Sequence, residues 1–305
     1  MTQLDYRTCH CDPLADERCT TCRNRHKLTG FPYMPYEKSG AVLSIEHVSL
    51  AFDGRPILRD ISVKLRKITR VGMPTGRIVS FLGPSGCGKT SLLRILAGLQ
   101  VPTSGGVFLG QERTVVHSGL VGLVSQQYYV YPNRTVHGNL RIAALQRVKG
   151  CSKATELATE MLRRFDLVEQ RDLYPAQLSG GQRQRVAVAQ QLLCSDHYLL
   201  LDEPTAGLDP LSKRNVANLI YEVANSGDGI TTIIVTHDIS TAVAISDTIW
   251  LMGRERDAAG NIIPGARIID TYDLIECGMC WNSAGRNHPA FASLTQELQD
   301  RFDSL

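Results

Sequence analysis

Gly83, Pro84, Ser85, Gly86, Cys87, Gly88, Lys89 and Thr90 form one uninterrupted run, GPSGCGKT, whose glycines and terminal Lys-Thr pair are spaced to hold phosphate. Backbone N–H groups of a glycine-rich turn can close on an oligophosphate because no Cβ blocks the approach. The N-terminus of a following helix adds positive potential. Lys89 would reach the outer phosphates, and the Thr90 hydroxyl would ligate Mg²⁺. A second stretch, LSGGQRQR from Leu178 to Arg185, is also built for an anion: Ser179 reads as an N-cap, while Gly180 and Gly181 leave their N–H groups uncovered. One nucleotide does not need two cradles on one chain, so the second is expected to serve a nucleotide held by a neighbouring subunit.

Two acidic residues, Asp202 and Glu203, follow the apolar run Tyr198 to Leu201. At the C-terminal end of a strand beside a phosphate loop, Asp202 can take Mg²⁺ and Glu203 can polarise a water. His237 closes another apolar run, Thr231 to Val235, at the same kind of strand end. Near the front, Cys9, Cys11, Cys19 and Cys22 make a CxC and a CxxC separated by seven residues. Two close pairs of soft ligands could wrap one tetrahedral Zn²⁺ at roughly 2.3 Å per thiolate. Cys277 and Cys280 form a further CxxC, which alone is a weak signal.

The elements that must position these groups are legible from pattern. Ile78 to Leu82 followed by Ser91 to Ala97 predicts strand, turn and helix around the phosphate loop. Leu43 to Phe52 and Ile61 to Leu65 read as strands about a turn at Asp53 to Pro56. Residues 30–40 read as a linker, and Arg66 to Gly76 as an irregular loop with a solvated basic face. Leu120 to Val124 predicts a buried strand, and Tyr128, Tyr129 and Tyr131 an aromatic loop. Helices are expected over Val136 to Val148, Lys153 to Phe165, Val186 to Leu193 and Ile239 to Ile245. Thr248 to Met252 predicts a strand, Arg254 to Pro264 a turn-rich excursion, Arg267 to Asp270 a closing strand and Ser293 to Phe302 a last helix.

The 305 residues are ample for a buried core, and a net charge of +3 makes no electrostatic demand for nucleic acid. No apolar run approaches the ~20 residues of a spanning helix, and the polar front has no signal-peptide core. A cytosolic chain is therefore expected, one that can still sit on a membrane protein. Nine cysteines in such a chain argue for thiols or metal ligation and against a disulfide framework.

The phosphate loop, Gln126, LSGGQRQR, the LLLDE strand end, AGLD at Ala206 to Asp209, and His237 occur in that order. Together they resemble the ATP-binding cassette (ABC) ATPases, the motor subunits of ABC transporters, over Leu43 to Met252. The resemblance implies an α/β fold with a parallel sheet and helices, an antiparallel β subdomain and a helical subdomain over about residues 127–185. The sequence places a short Cys-rich segment ahead of it, so the expected division is residues 1–40, a Cys-rich segment and linker, and an ATPase domain over 41–305, with an extension from about 253.

Residue by residue, Phe52 would stack on adenine where the family more often has Tyr. The loop from Gly83 through Ser91 would bind the phosphates, and Lys89, Thr90 and Asp202 would hold phosphate and Mg²⁺. Glu203 would orient or deprotonate the attacking water, and His237 would contact the γ-phosphate. Gln126 would sense metal and water and link to the membrane subunit. Ser179, Gly180, Gly181 and Gln182 would cap the ATP of the opposite monomer, with Asp209 communicating across that interface.

The expected protein is an ATPase subunit that powers transport on the cytoplasmic face of the inner membrane. Its partners would be transmembrane permease subunits, a second ATPase subunit and a substrate-binding protein. The absence of a fused membrane span and the continuation Gln182 to Arg185 look importer-like, and the tail over residues 266–302 loosely resembles the nitrate, sulfonate and taurine importer group. The rival expectation is a soluble, non-transport cassette acting in metal-cluster assembly or macromolecular remodelling. In a third, the front cysteines form a regulatory metal sensor. The cysteine-rich front, the Arg66 to Gly76 insertion and the excursion after Gly253 depart from the family pattern.

Overall fold

The structure is a computed structural model that describes residues 36–70, 76–195, 197–225, 229–275, 279–280, 289–303 and 305. At its centre lie strands β3 (Arg77–Leu82), β8 (Thr231–Thr236) and β9 (Thr248–Gly253), each buried along its whole length. Side chains covered on both faces explain why they read as continuous apolar runs rather than alternating ones. With β6 (Gly122–Val124), β7 (Tyr198–Asp202) and β10 (Arg267–Asp273) they make a six-stranded sheet in the order β10-β9-β3-β8-β7-β6. Every pairing is parallel except that of β10 with β9. The register sets Leu82 opposite Thr236 and Asp202 opposite Val235, so three chemically loaded strand ends finish at one edge of the sheet.

A second, antiparallel sheet has the order β2-β1-β4-β5, from β1 (Tyr36–Phe52), β2 (Arg55–Arg70), β4 (Ser104–Leu109) and β5 (Thr114–Val115). Its inner face contributes Leu43, Ile45, Leu58, Ile61 and Leu65 to a core shared with Phe81, Leu92, Leu93 and Trp250. Here the structure corrects the expected linker and irregular loop. Tyr36 pairs with Arg70 and Ala41 with Arg66, so residues 36–40 and 66–70 are the far ends of one long hairpin. Ile68 is buried there, and ladder pairing outweighs the loop-like composition. β4 was not anticipated. It tolerates two glycines because Gly105, at φ +78°, approaches the His47 carbonyl so closely that a Cβ would lie 2.3 Å from it.

Helix α1 (Lys89–Leu96) follows the phosphate loop. The expected helical region contains α2 (Val136–Leu145), α3 (Cys151–Arg164), a 3₁₀ turn at Pro175–Gln177 and α4 (Gly180–Cys194). Thr135 caps α2 by accepting from Gly138 N, and Gly150, at φ +113°, turns the chain into α3. Leu140, Ala143, Ala144, Ala154, Ala158 and Leu162 share one buried cluster, in which the alanines let the helices approach closely. Helix α5 (Pro210–Ala224), which the sequence reading passed over, covers the same cluster with Val216 and Ile220. Helix α6 (Ile239–Ile245) and helix α7 (Pro289–Asp303) pack on β9 and β10 through Val243, Leu251, Tyr272, Leu294 and Leu298. Arg301 of α7 binds the Asp270 carboxylate of β10.

Candidate nucleotide site

The phosphate loop leaves β3 at Leu82 and is tied to β8 by Gly83 N–H, which donates to Thr236 O at 3.3 Å. A Cβ at Gly83 would fall 2.5 Å from Met252 O, and one at Gly88 would fall 2.9 Å from Leu58 Cδ2. The backbone behind the loop therefore demands glycine at position 83. Gly86 and Gly88 hold φ of +78° and +96°, a conformation favourable to glycine. Gly88 is also the N-cap of α1 and offers no side-chain cap, so the first N–H groups of the helix have no side chain competing for them. Lys89 is only 6% exposed, and its ammonium donates to Gly83 O (2.8 Å) and Pro84 O (3.0 Å). The Cys87 thiol is buried, and burial pushes its pKa up. Ser85 and Thr90 are exposed, and Ser91 is half-buried.

Across the sheet edge, Thr90 Oγ1 donates to Asp202 Oδ1 at 3.5 Å. Burial raises the Asp202 pKa, reinforced by the neighbouring Glu203 charge. Glu203 has φ +48°, left-handed backbone for a non-glycine residue, and its N–H donates to Val235 O at 2.8 Å. That turn aims the carboxylate back over β8: His237 Nδ1 lies 2.8 Å from Oε1, while Thr236 Oγ1 and His237 N approach Oε2 at 3.3 and 3.4 Å. Lys89 Nζ is 3.9 Å from Oε1. Glu203, at 17% side-chain exposure, thus sits among Lys89, Thr236 and His237 at the ends of β3, β7 and β8. Lys89, Thr90, Asp202, Glu203 and His237, picked out by sequence, are one constellation in space.

Other expected residues lie around it or away from it. Phe52 is 51% exposed at the end of β1, beside the hairpin tip that packs on Gly88. Gln126 is exposed just beyond β6. Ser179 caps α4 at Gln182 N (3.2 Å), and Gln182 Oε1 accepts from Ser179 N (2.9 Å), leaving Gly180 and Gly181 exposed. Among the described residues, no hydrogen bond or ion pair joins Ser179 to Gln182 with the phosphate loop. Asp209 caps α5 by accepting from Leu211 N and Ser212 N. Cys9, Cys11, Cys19, Cys22 and Cys277 lie outside the described residues. Among those described, no three His, Cys, Asp or Glu side chains are grouped to hold a metal ion. No described helix is long and apolar enough to cross a membrane.

The sequence reading missed two supports. Tyr128, expected in an exposed aromatic loop, is half-buried. Its hydroxyl donates to Pro204 O at 2.6 Å, one residue past Glu203, and burial pushes its pKa up to about 12. Lys213 of α5 binds Asp238 Oδ2 at 2.7 Å, next to His237. Both depend on partners far along the chain, for which no local pattern exists.

Residues 67–206 match the family model for the ABC transporter. A sulfate/thiosulfate import ATP-binding protein of Rhizobium meliloti is 35% identical over 217 residues, covering 69% of this chain and 57% of that protein. A spermidine/putrescine import ATP-binding protein of Thermotoga maritima is 36% identical over 239 residues, covering 77% and 61%. The chain thus spans about three-fifths of the length of these relatives. The dimeric post-hydrolysis structure of the ATP-binding cassette MJ0796, bound to ADP and Pi, superposes with a TM-score of 0.59 at 25% identity, covering 76% of this chain and 98% of that one. The fold is also that of cbiO1 from Clostridium perfringens, with a TM-score of 0.66 at 22% identity over 86% of this chain and all of that one. With the ordered motifs, the strand ends that gather them, the family model and the relatives in agreement, the chain carries an ABC transporter ATPase domain.

Proposed function

We propose that the chain is the ATP-binding and ATP-hydrolysing subunit of an importer, driving solute passage through partner membrane subunits on the cytoplasmic face of the membrane. The observation that carries this reading is the Glu203 carboxylate, turned by left-handed backbone onto His237 and Thr236 beside the Thr90–Asp202 pair. Backbone strain of this kind costs about 1–3 kcal/mol and concentrates at working sites.

The donors fit the expected groups. Gly83 and Gly88 let the loop lie close against the sheet and the hairpin, and Thr90 with Asp202 offers hard oxygen ligands of the kind Mg²⁺ takes, with Gln126 as a third candidate. Bound there, Mg²⁺ would neutralise charge on the phosphate oxygens. Lys89, buried beside the loop, exchanges its carbonyl partners for phosphate oxygens. Glu203 accepts a proton from the attacking water as the new bond forms to the γ-phosphorus and the bond to the ADP oxygen breaks. His237 holds that carboxylate in place and faces the departing phosphate, and Phe52 offers its exposed ring to the adenine. Ser179, Gly180, Gly181 and Gln182 serve the ATP of a second copy. The solute is chosen by other chains: the two relatives are named for sulfate/thiosulfate and spermidine/putrescine, an anion and a polycation. The two close thiolate pairs Cys9, Cys11 and Cys19, Cys22 would hold Zn²⁺.

Replacing Glu203 with Gln tests the reading. ATP binding is retained while hydrolysis falls about 10²- to 10⁴-fold, the usual worth of a positioned acid–base group. Affinity purification of this variant with ATP from membranes should recover a multi-span permease, identified by mass spectrometry. Normal hydrolysis would overturn the assignment of Glu203, and recovery of soluble proteins only would overturn the transport reading.

A further inference from the structure

The excursion after β9, the segment that departs from the family pattern, reaches back to the phosphate loop. Arg254, the first residue past β9, donates from Nη2 to Gly86 O at 3.2 Å. The excursion folds on itself through an antiparallel bridge between Arg256 and Ile262, and Ile263 N donates to Glu255 O at 2.8 Å. It returns as Ala266, which bridges Leu58 in β2: Arg59 N donates to Ala266 O (2.8 Å) and Ala266 N to Ile57 O (2.9 Å). Glu255 sits between Arg59 and Arg267 and pins the base of the segment to the same hairpin. Ile57 and Leu58 are also the residues that a Cβ at Gly88 would strike. The segment therefore touches the phosphate loop directly at Gly86 and braces the hairpin residues that press on Gly88.

A peptide unit is planar and trans, so fixing one carbonyl fixes the direction of the next N–H. With Gly86 O held by Arg254, the Cys87 N–H points the opposite way, into the loop, where it donates to Pro84 O at 3.4 Å. Gly86 has φ +78°, and the side where a Cβ would stand is open space. Glycine has a wide choice of conformations, and a hydrogen bond to its carbonyl narrows that choice.

We infer that Arg254 is a positioning residue of the phosphate loop, holding the Gly86–Cys87 peptide with its N–H turned into the loop, where it closes on Pro84 O and can pass to a phosphate oxygen when ATP binds. The inference rests on the reading of this loop as the ATP site. It makes ATP affinity, rather than the chemical step, the quantity that Arg254 sets.

The test uses the full chain. Kd for ATP is measured by titration calorimetry, KM and kcat by phosphate release, and folding by thermal melting. Arg254→Ala raises Kd and KM about threefold to tenfold, the worth of one hydrogen bond, with kcat and the melting temperature near wild type. Arg254→Lys, which keeps a donor, recovers part of the loss. Arg256→Ala removes the same charge from the same segment, but its side chain donates to Gly260 O and not to the loop, so Kd stays at the wild-type value. Wild-type affinity in Arg254→Ala, no recovery in Arg254→Lys, or an equal loss in Arg256→Ala would each overturn the inference. Failure of the wild-type chain itself to bind ATP would overturn the reading of the loop and this inference with it.

Discussion

His237 and Asp238 are adjacent, yet each answers to a different part of the fold. His237 holds Glu203, whereas Asp238 caps α6 at Thr241 N (3.1 Å) and pairs with Lys213. Burial works against the Asp238 charge, but the Lys213 hydrogen bond and the Thr241 N–H outweigh it and hold the carboxyl below the usual range. The sign follows from linkage. A carboxyl with a depressed folded-state pKa adds stability above its unfolded pKa, near 4, and loses it as pH falls through the folded value. Asp238→Asn keeps an N-cap side chain but not the charge, so wild type should melt higher than the variant at pH 7 and the gap should close below about pH 4. Thermal melts of both proteins between pH 3 and 7 check this, and a gap independent of pH would refute the ionic account.

At the scale of elements, the loop between β6 and α2 is held chiefly by Asn139. This residue is 0% exposed. Its Oδ1 accepts from Tyr131 N (2.7 Å), and its Nδ2 donates to the carbonyls of Tyr131 (3.1 Å), Arg134 (3.2 Å) and Thr135 (3.0 Å). The Tyr128 hydroxyl ties the same loop to Pro204. The role proposed for Gln126 requires this loop to keep its shape. Asn139→Ala strips these bonds and leaves backbone groups unpaired, which should cost about 2–3 kcal/mol in denaturant unfolding. It should also lower ATP turnover more than ATP affinity, because the phosphate cradle is untouched. An unchanged unfolding midpoint would show that the loop is held by its backbone alone. The long β1–β2 hairpin teaches the converse: residues 36–40 and 66–70 read as loop from their local composition, while Tyr36 pairs with Arg70, a partner far along the chain.

For the molecule as a whole, no hydrogen bond or ion pair among the described residues joins Ser179–Gln182 to the phosphate loop, and the proposed function gives that signature to the ATP of a second copy. Glu203→Gln with ATP should run as a dimer in light scattering, and adding Ser179→Arg should return it to a monomer that still binds ATP. A dimer that survives Ser179→Arg would place the contact elsewhere. The phosphate loop, the capped signature and the strand-end acids were legible from sequence because each is local: a turn, a cap or a strand end is written in fewer than ten neighbouring residues. The glycines at Gly86 and Gly88, the N-cap at Ser179 and the apolar runs of β3, β7, β8 and β9 all took the expected form. The contact of Arg254 with Gly86, across 168 residues, and those of Tyr128 with Pro204 and Lys213 with Asp238 had no such signature. They exist because sheet order sets β9 beside β3, β6 beside β7 and β7 beside β8, and that order is chosen by burial of the whole core, which no short stretch of sequence specifies.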